Sequence, residues 1–491
     1  MRAAGTEPHE FFHALFVMSI NSLLQSAFTY HREGRLDLAE QGYLDVIKSA
    51  PTHWSARFGL AEVLNRTQRY DAAIGWLTPM LTEDPEESVP LHRELGFAHA
   101  NAGRLQAALE HFKCILEKLP NDAETLHLVA NFEQSLNLNE EADAHFRRAL
   151  ERKLLITIPA VTTPPAFRAL FVFAPGRGNT PFAYLVETAP FESNVLNLLQ
   201  DFKYDDAALR NGGDVVVNLI ADVDQGGPML AIADEFVERI GKPIVNHPRR
   251  ITGTGRETIA KLIADTPGCL VPQTRLYTAD ALRTLFADAA AFPWSFPLLV
   301  RRAGTHGGSD FELVQHIWQL RAFVERVGEC DYYLTPFVDY RSADGHYRKY
   351  RFFYVDGEIL PYHLAIGNHW KVHHATTDMA QTPWMQAEEQ AFLEHPTSVF
   401  GAVQYDALRA IGDTIGLDYF GIDCGLDAQG AVVVFEVNAC MLVHGDNAAF
   451  PYKTPSVERI RHAFHAMLSR IAQRRDKSER TQGTQGTAIV G

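Results

Sequence analysis

The chain has 491 residues, 46% of them hydrophobic and 21% charged, with a formal net charge of −15. At roughly 100–200 residues per domain that length calls for two to four domains. The composition excludes a generally disordered chain, and the acidic balance argues against nucleic acid as a partner. The five cysteines, Cys114, Cys269, Cys330, Cys424 and Cys440, are scattered and form no CxxC pair. That argues against a disulfide framework or a zinc site and fits a reducing, cytoplasmic setting. No run approaches about 20 uninterrupted apolar residues, so no membrane span is expected.

Residues 11–28 are apolar but lack a basic flank, and His13, Asn21 and Gln25 interrupt them. They read as the helix that opens the first domain rather than as a signal peptide. An internal repeat follows. Small residues recur at Ala39, Ala73, Ala108 and Ala142, spaced 34, 35 and 34, and at Ala27, Ala61, Gly96 and Ala130 with the same spacing. Prolines fall in step at Pro51, Pro85 and Pro120, and turn segments REGRL, RTQRY, NAGRL and SLNLN lie between. Each unit reads as two short helices around a tight turn. The small residues let the helices cross closely. The bulky Tyr43, Leu77, Phe112 and Phe146 fill the space between layers, and each proline stops the second helix. Four such units over about residues 20–153 resemble tetratricopeptide repeats. The resemblance implies a curved solenoid whose groove holds a peptide, a protein partner or a second subunit in a homodimer. The plainer alternative is a cap on the remainder of the chain.

The segment TIPAVTTPPAF, residues 157–167, breaks the helical pattern and reads as a linker. Apolar runs at Arg168–Ala174, Asp214–Ile220 and Pro243–Asn246 then alternate with a helix predicted over Leu230–Ile240. That order suggests a small parallel α/β domain. Pro175-Gly-Arg-Gly178 is read as a turn; it lacks the lysine of a P-loop and the spacing of a dinucleotide fingerprint.

Three segments of the C-terminal half carry chemistry before any family is considered. In FPLLVRRAGTHGGSDFELV, residues 296–314, two strands flank a loop whose glycines let backbone N–H groups approach phosphate oxygens. PYHLAIGNHWKVHHATTDM, residues 361–379, is rich in histidine, yet no cysteine is near and the spacings fit no closed zinc set. In GIDCGLDAQGAVVVFEVNACM, residues 421–441, two strands flank the turn DAQG. Glu436 and Asn438 share a strand face by the period of two, and Asp423 on the neighbouring antiparallel strand meets them across the ladder. Two carboxylates and an amide are the oxygen donors magnesium prefers.

From about residue 166 to 470 these segments resemble ATP-grasp ligases, in the flavour of ribosomal-protein glutamate ligase, glutathione synthetase and D-alanine–D-alanine ligase. The resemblance implies a multidomain chain: an all-α repeat solenoid over 1–155, a linker over 156–166, a small α/β pre-ATP-grasp domain over 167–265, a two-lobed α+β ATP-grasp domain over 266–475 and a disordered tail over 476–491. It implies ATP and Mg2+, with Mn2+ as a substitute, the metal being held by Asp423, Glu436 and Asn438. Arg301 stands where the family usually has a lysine, and His306, Gly307 and Gly308 belong to the loop over the phosphates. Pro336-Phe337-Val338 matches the hinge that pairs with adenine; Pro336 replaces an acidic residue there, which leaves Asp339 for the ribose. Arg351 matches an arginine that stabilises developing charge, Lys349 shares its face, and Lys371 and His374 lie on a substrate-proximal loop. The position of a first ATP lysine is Thr258, with Arg256 or Lys261 as its replacement. The implied activity is carboxylate–amine ligation through an acyl-phosphate, on a peptide or protein recruited by the repeats. The alternatives are a degenerate nucleotide-binding scaffold and a small-molecule ligase of secondary metabolism.

Overall fold

The computed structural model describes residues 8–485 apart from 84, 288–291, 306–307, 374–376, 446 and 448. The chain divides into two compact units, Met1–Leu154 and Leu155–Gly491.

The first unit is a helical repeat solenoid of eight helices: α1 Pro8–Arg32, α2 Leu36–Ser49, α3 Trp54–Arg66, α4 Tyr70–Glu83, α5 Ser88–Asn101, α6 Leu105–Lys118, α7 Ala123–Ser135 and α8 Asn139–Arg152. The same C-cap ends all four first helices. Gly34, Gln68, Gly103 and Asn137 take left-handed φ values of +77°, +61°, +76° and +62°. The following N–H reaches back five residues in each case: Arg35 to the Tyr30 carbonyl, Arg69 to Leu64, Arg104 to His99 and Leu138 to Glu133, at 2.8–2.9 Å. This is a Schellman cap, which turns the chain and satisfies a carbonyl the helix leaves open. The periodic small residues are all buried, as are Tyr43, Leu77, Phe112 and Phe146. Close crossing requires the smallness: a Cβ added to Gly96 would lie 2.7 Å from the Phe112 ring.

The second unit holds fourteen strands among the described residues: β1 Ile156–Ile158, β2 Arg168–Phe173, β3 Glu192–Asn197, β4 Val215–Asn218, β5 Ile244–Val245, β6 Cys269–Leu270, β7 Arg275–Thr278, β8 Leu298–Arg302, β9 Phe311–Val314, β10 Asp331–Pro336, β11 Tyr347–Val355, β12 Glu358–Gly367, β13 Tyr419–Leu426 and β14 Val432–Asn438. They form three sheets, in the orders β1-β3-β2-β4-β5, β7-β10-β8-β9 and β12-β11-β13-β14-β6. In the first sheet β3, β2, β4 and β5 run parallel, with β1 antiparallel at the edge. The second sheet is antiparallel throughout, and the third is antiparallel except where β14 meets β6. One core, containing Phe171, Phe191, Phe353, Tyr419 and Phe464, joins the first and third sheets to the long C-terminal helix. A separate core of Leu282, Val300, Phe323 and Tyr332 backs the second sheet.

Four expectations shift. Residues 156–158, placed in the linker, form the edge strand β1. The strand β3 falls where Ser193, Asn194 and Asn197 hide the apolar pattern; the Asn194 amide is satisfied by the Gly212 carbonyl at 2.9 Å. Val271-Pro-Gln-Thr274, which the family resemblance implies is a strand, lies instead between β6 and β7. The C-terminal helix runs over Thr454–Gln485, past residue 476 where a disordered tail was expected. Arginine, lysine and glutamate are good helix formers, so a polar stretch extends a helix already anchored by Val457, Ile460 and Phe464.

Candidate functional site

The third sheet builds a row of charge across four strands. Its register places His363 of β12 opposite Arg351 of β11, Arg351 opposite Asp423 of β13, and Asp423 opposite Glu436 of β14. Residues directly opposite share a face of the sheet. β-Bulges interrupt the ladder at this row, between Arg351 and Phe352 and between Asp423 and Cys424. A bulge re-aims side chains locally. Asn438 is two residues beyond Glu436, so Asp423, Glu436 and Asn438 share one corner.

Arg351, Asp423 and Glu436 of this row line a cavity of about 290 Å³. β8 and β10 of the second sheet supply Arg301, Tyr333 and Thr335; the segment after β10 supplies Phe337, Val338 and Tyr340; the 370–373 loop supplies Trp370, Lys371 and His373. Asp222 and Asp224 come from the start of the helix Val223–Ile240, and Arg256 from the helix Arg256–Leu262. Five lining cations, Arg256, Arg301, Lys349, Arg351 and Lys371, face four carboxylates, Asp222, Asp224, Asp423 and Glu436.

The pairing is specific. Asp423 is 3% exposed. It accepts hydrogen bonds from Arg351 Nε at 2.6 Å, Arg351 Nη2 at 2.9 Å and Lys349 Nζ at 3.0 Å. Burial works against its charge, but Arg351 and Lys349 outweigh burial and hold the carboxyl far below the usual range. Glu436 Oε1 accepts from Arg256 Nη2 at 2.7 Å and from Asn438 Nδ2 at 3.2 Å. Burial again opposes ionisation, and Arg256 with Arg301 brings Glu436 down to about 2. Both bonds fall on Oε1, so neither engages the second oxygen. Asn438 Oδ1 accepts the Cys440 N–H at 2.7 Å and shapes the turn that leaves the strand.

The other predicted residues distribute unevenly. Arg301 lines the cavity, lies over the Phe311 ring and donates through Nη2 to the Thr305 carbonyl. Burial and the neighbouring Arg256 lower its guanidinium to about 10, which leaves it charged at neutral pH. Lys371 lies against the glycine-rich segment: its Nζ donates to the Phe311 carbonyl at 3.1 Å, and a Cβ on Gly308 would meet its Cε at 2.8 Å. Gly308 takes φ +83°, which an L side chain adopts only under strain. Phe337 lines the cavity, and its N–H donates to the Pro297 carbonyl at 3.1 Å. Asp339 does not line the cavity, although Val338 and Tyr340 on either side of it do; it pairs instead with Arg341 at 2.8 Å. His306, Gly307 and His374 lie outside the described residues.

Of the two substitutes for a first lysine, Arg256 lines the cavity, whereas Lys261 pairs with Glu257 at 2.6 Å away from it. Sequence reading missed Asp224, which receives the Tyr333 hydroxyl at 3.0 Å and the Gly304 N–H at 3.3 Å. The run ADVDQGG after an apolar strand was its only signal. Also missed was a buried cluster beside the row, in which Glu389 accepts from Tyr452 at 2.7 Å and pairs with Lys453 at 3.2 Å and His363 at 3.3 Å.

Comparison with known proteins bears on the first unit. A family model described as tetratricopeptide repeat matches residues 29–88, and the N-terminal helices are tetratricopeptide repeats. Similar solved structures include MamA AMB-1, 25% identical over 27% of this chain and 78% of that chain, with a TM-score of 0.26. MamA MSR-1 is 26% identical over 27% of this chain and 76% of that chain, with a TM-score of 0.26. MamA from Desulfovibrio magneticus RS-1 is 19% identical over 27% and 75%, with a TM-score of 0.26. A comparison with curated proteins finds no match. Among the described residues no helix is long and apolar enough to cross a membrane.

Proposed function

We propose that the second unit is an ATP-dependent carboxylate–amine ligase of the ATP-grasp type. One observation carries the reading: Asp423 and Glu436 face each other across β13 and β14, beside Asn438, in a cavity ringed by Arg256, Arg301, Lys349 and Arg351. A buried carboxylate, a partly exposed one and a carboxamide form an oxygen donor set suited to magnesium. The cavity as a whole holds five cations against four carboxylates, a positive balance that favours an anion. Magnesium or manganese, when bound by these three residues, neutralises phosphate oxygens.

The chain's own residues do the rest. Arg256 and Arg301 hold negative charge from one side of the corner, and Lys349 and Arg351 from the other, as phosphoryl transfer requires. The γ-phosphoryl group of ATP passes to a substrate carboxylate, giving an acyl-phosphate and ADP. An amine then attacks the acyl carbon; the bond to phosphate breaks, and an amide, inorganic phosphate and a proton result. The apolar lining of Val271, Leu299, Phe337 and Val434 receives the adenine and keeps water from the acyl-phosphate. The repeats hold a protein or peptide, either the substrate itself or a partner.

A second reading is favoured by the saturation of Asp423 with three bonds from Arg351 and Lys349. In that reading the unit binds nucleotide without turning it over. Purified protein with magnesium, ATP and a panel of amino acids and peptides separates the two. ADP and phosphate released only in the presence of an acceptor support the ligase, and Glu436→Ala abolishes that release. Nucleotide binding without ADP release on any member of the panel supports the scaffold.

A further inference from the structure

A second cavity, of about 430 Å³, lies at the carboxyl ends of the first sheet's parallel strands. β2 leads to β3 on one side, while β4 lies on its other side. Open parallel sheets bind ligands where the chain order reverses in this way, outside the carboxyl ends of the strands. The segment Pro175–Pro181, whose first four residues the sequence reads as a turn, leaves β2 there. It is fixed to the exit of β4: the Thr180 N–H donates to the Leu219 carbonyl at 2.7 Å, and the Ala221 and Asp222 N–H groups donate to the Gly178 carbonyl at 2.9 and 3.0 Å. Asn179 closes the loop on itself, its amide donating to the Ala174 carbonyl at 2.9 Å and accepting the Ala174 N–H at 3.0 Å.

This loop is also joined to the chain that leaves the charged corner. The buried Thr180 hydroxyl donates to the Ala439 carbonyl at 2.8 Å, and Cys440 Sγ lies 2.9 Å from the Asn179 carbonyl. Leu442, Val443 and His444, a few residues past Asn438, form one wall of the second cavity; Phe173, Phe182 and Tyr184 help form the other. Among the described residues no lysine, arginine, aspartate or glutamate lines it. Leu442 nevertheless remains 46% exposed. A cavity of that volume with such a lining accommodates a large aliphatic or aromatic side chain.

We infer that this cavity takes the apolar side chain of the substrate whose reacting end is presented at Asn438, so that the unit selects amino acids or peptides with a large apolar residue there. The inference rests on the ligase reading for the word substrate, but the cavity is tested without turnover. Full-length protein is titrated calorimetrically with L-leucine, L-phenylalanine, their amides and L-glutamate, with and without magnesium and a non-hydrolysable ATP analogue. Either leucine or phenylalanine, as acid or amide, is expected to bind at least tenfold more tightly than glutamate. Leu442→Asp and Ala183→Trp, both at exposed positions, should each remove that preference while the ATP analogue binds as before. Glutamate binding as tightly as the apolar probes, no apolar probe binding the wild type, or unchanged preference in both variants overturns the inference. Failure of the ATP analogue to bind the wild type instead sinks the ligase reading, and the apolar titrations without nucleotide still decide the cavity.

Discussion

Asp423→Asn is the sharpest test of how the charged row is held. Asp423 neutralises two cations that are themselves largely withdrawn from water; the side chains of Lys349 and Arg351 are 15% and 22% exposed. The amide has the same shape but loses the charge, and it presents N–H donors to a guanidinium and an ammonium that only donate. Breaking a buried pair by removing one partner costs about 3–5 kcal/mol. The unit Leu155–Gly491 has 337 residues (491 minus 154). At about 2.1 cal/mol/K of unfolding entropy per residue its transition carries about 0.7 kcal/mol/K, so the midpoint falls by about 4–7 °C. Differential scanning calorimetry of the full chain without nucleotide reads this directly. Adding Arg351→Met to Asp423→Asn removes one of the stranded cations and recovers part of the loss, since residues in one network are non-additive. A shift below about 1 °C for Asp423→Asn alone would refute the claim that the row is a buried, mutually dependent set.

Other outcomes follow from the same reasoning. Gln68 holds a left-handed conformation that its counterparts Gly34 and Gly103 adopt freely; Gln68→Gly should stabilise the repeats by about 1 kcal/mol, read as a raised urea midpoint. Gly96→Val forces atoms into the Phe112 ring and should cost about 1–3 kcal/mol in the same assay. Burial, then the nearby Lys153, lowers His127 from 6.5 to about 4. The folded state thus disfavours the proton that the unfolded chain accepts, so stability is lost as pH falls from about 6.5 towards 4. His127→Phe should flatten that limb of the pH–stability curve by roughly 3 kcal/mol. Chelation of divalent metal should abolish acceptor-dependent ADP release, and magnesium or manganese should restore it, as followed by a coupled ADP assay.

Periodicity made the repeats legible. A helix crossing needs a small residue at a fixed place in each unit, so Ala39, Ala73, Ala108 and Ala142 betray the architecture without any long-range information. The strand pair around DAQG was legible for a similar reason: period two puts Glu436 and Asn438 on one face whatever surrounds them. Asp224 and the Glu389 cluster were not, because their partners lie far away in sequence; Arg256 was one of two candidates, and what the sequence left out was its partner Glu436. The strand β3 was obscured by polar residues whose hydrogen bonds only the folded sheet supplies. Asp339, read as a ribose contact from its place beside the hinge, is held by Arg341 outside the cavity that its neighbours Val338 and Tyr340 line.

The sequence by itself determined the repeat unit, the turn positions and the strand face shared by Glu436 and Asn438, since each follows from spacing along a few dozen residues. Only the tertiary structure decided the register that sets Asp423 against both Arg351 and Glu436. It alone replaced the choice between Arg256 and Lys261 with a single guanidinium on Glu436. It alone tied the Pro175–Pro181 loop to the turn after Asn438. Those are contacts between segments up to 261 residues apart. They are ion pairs and neutral hydrogen bonds between groups that meet only when the chain has folded, so no local pattern encodes them.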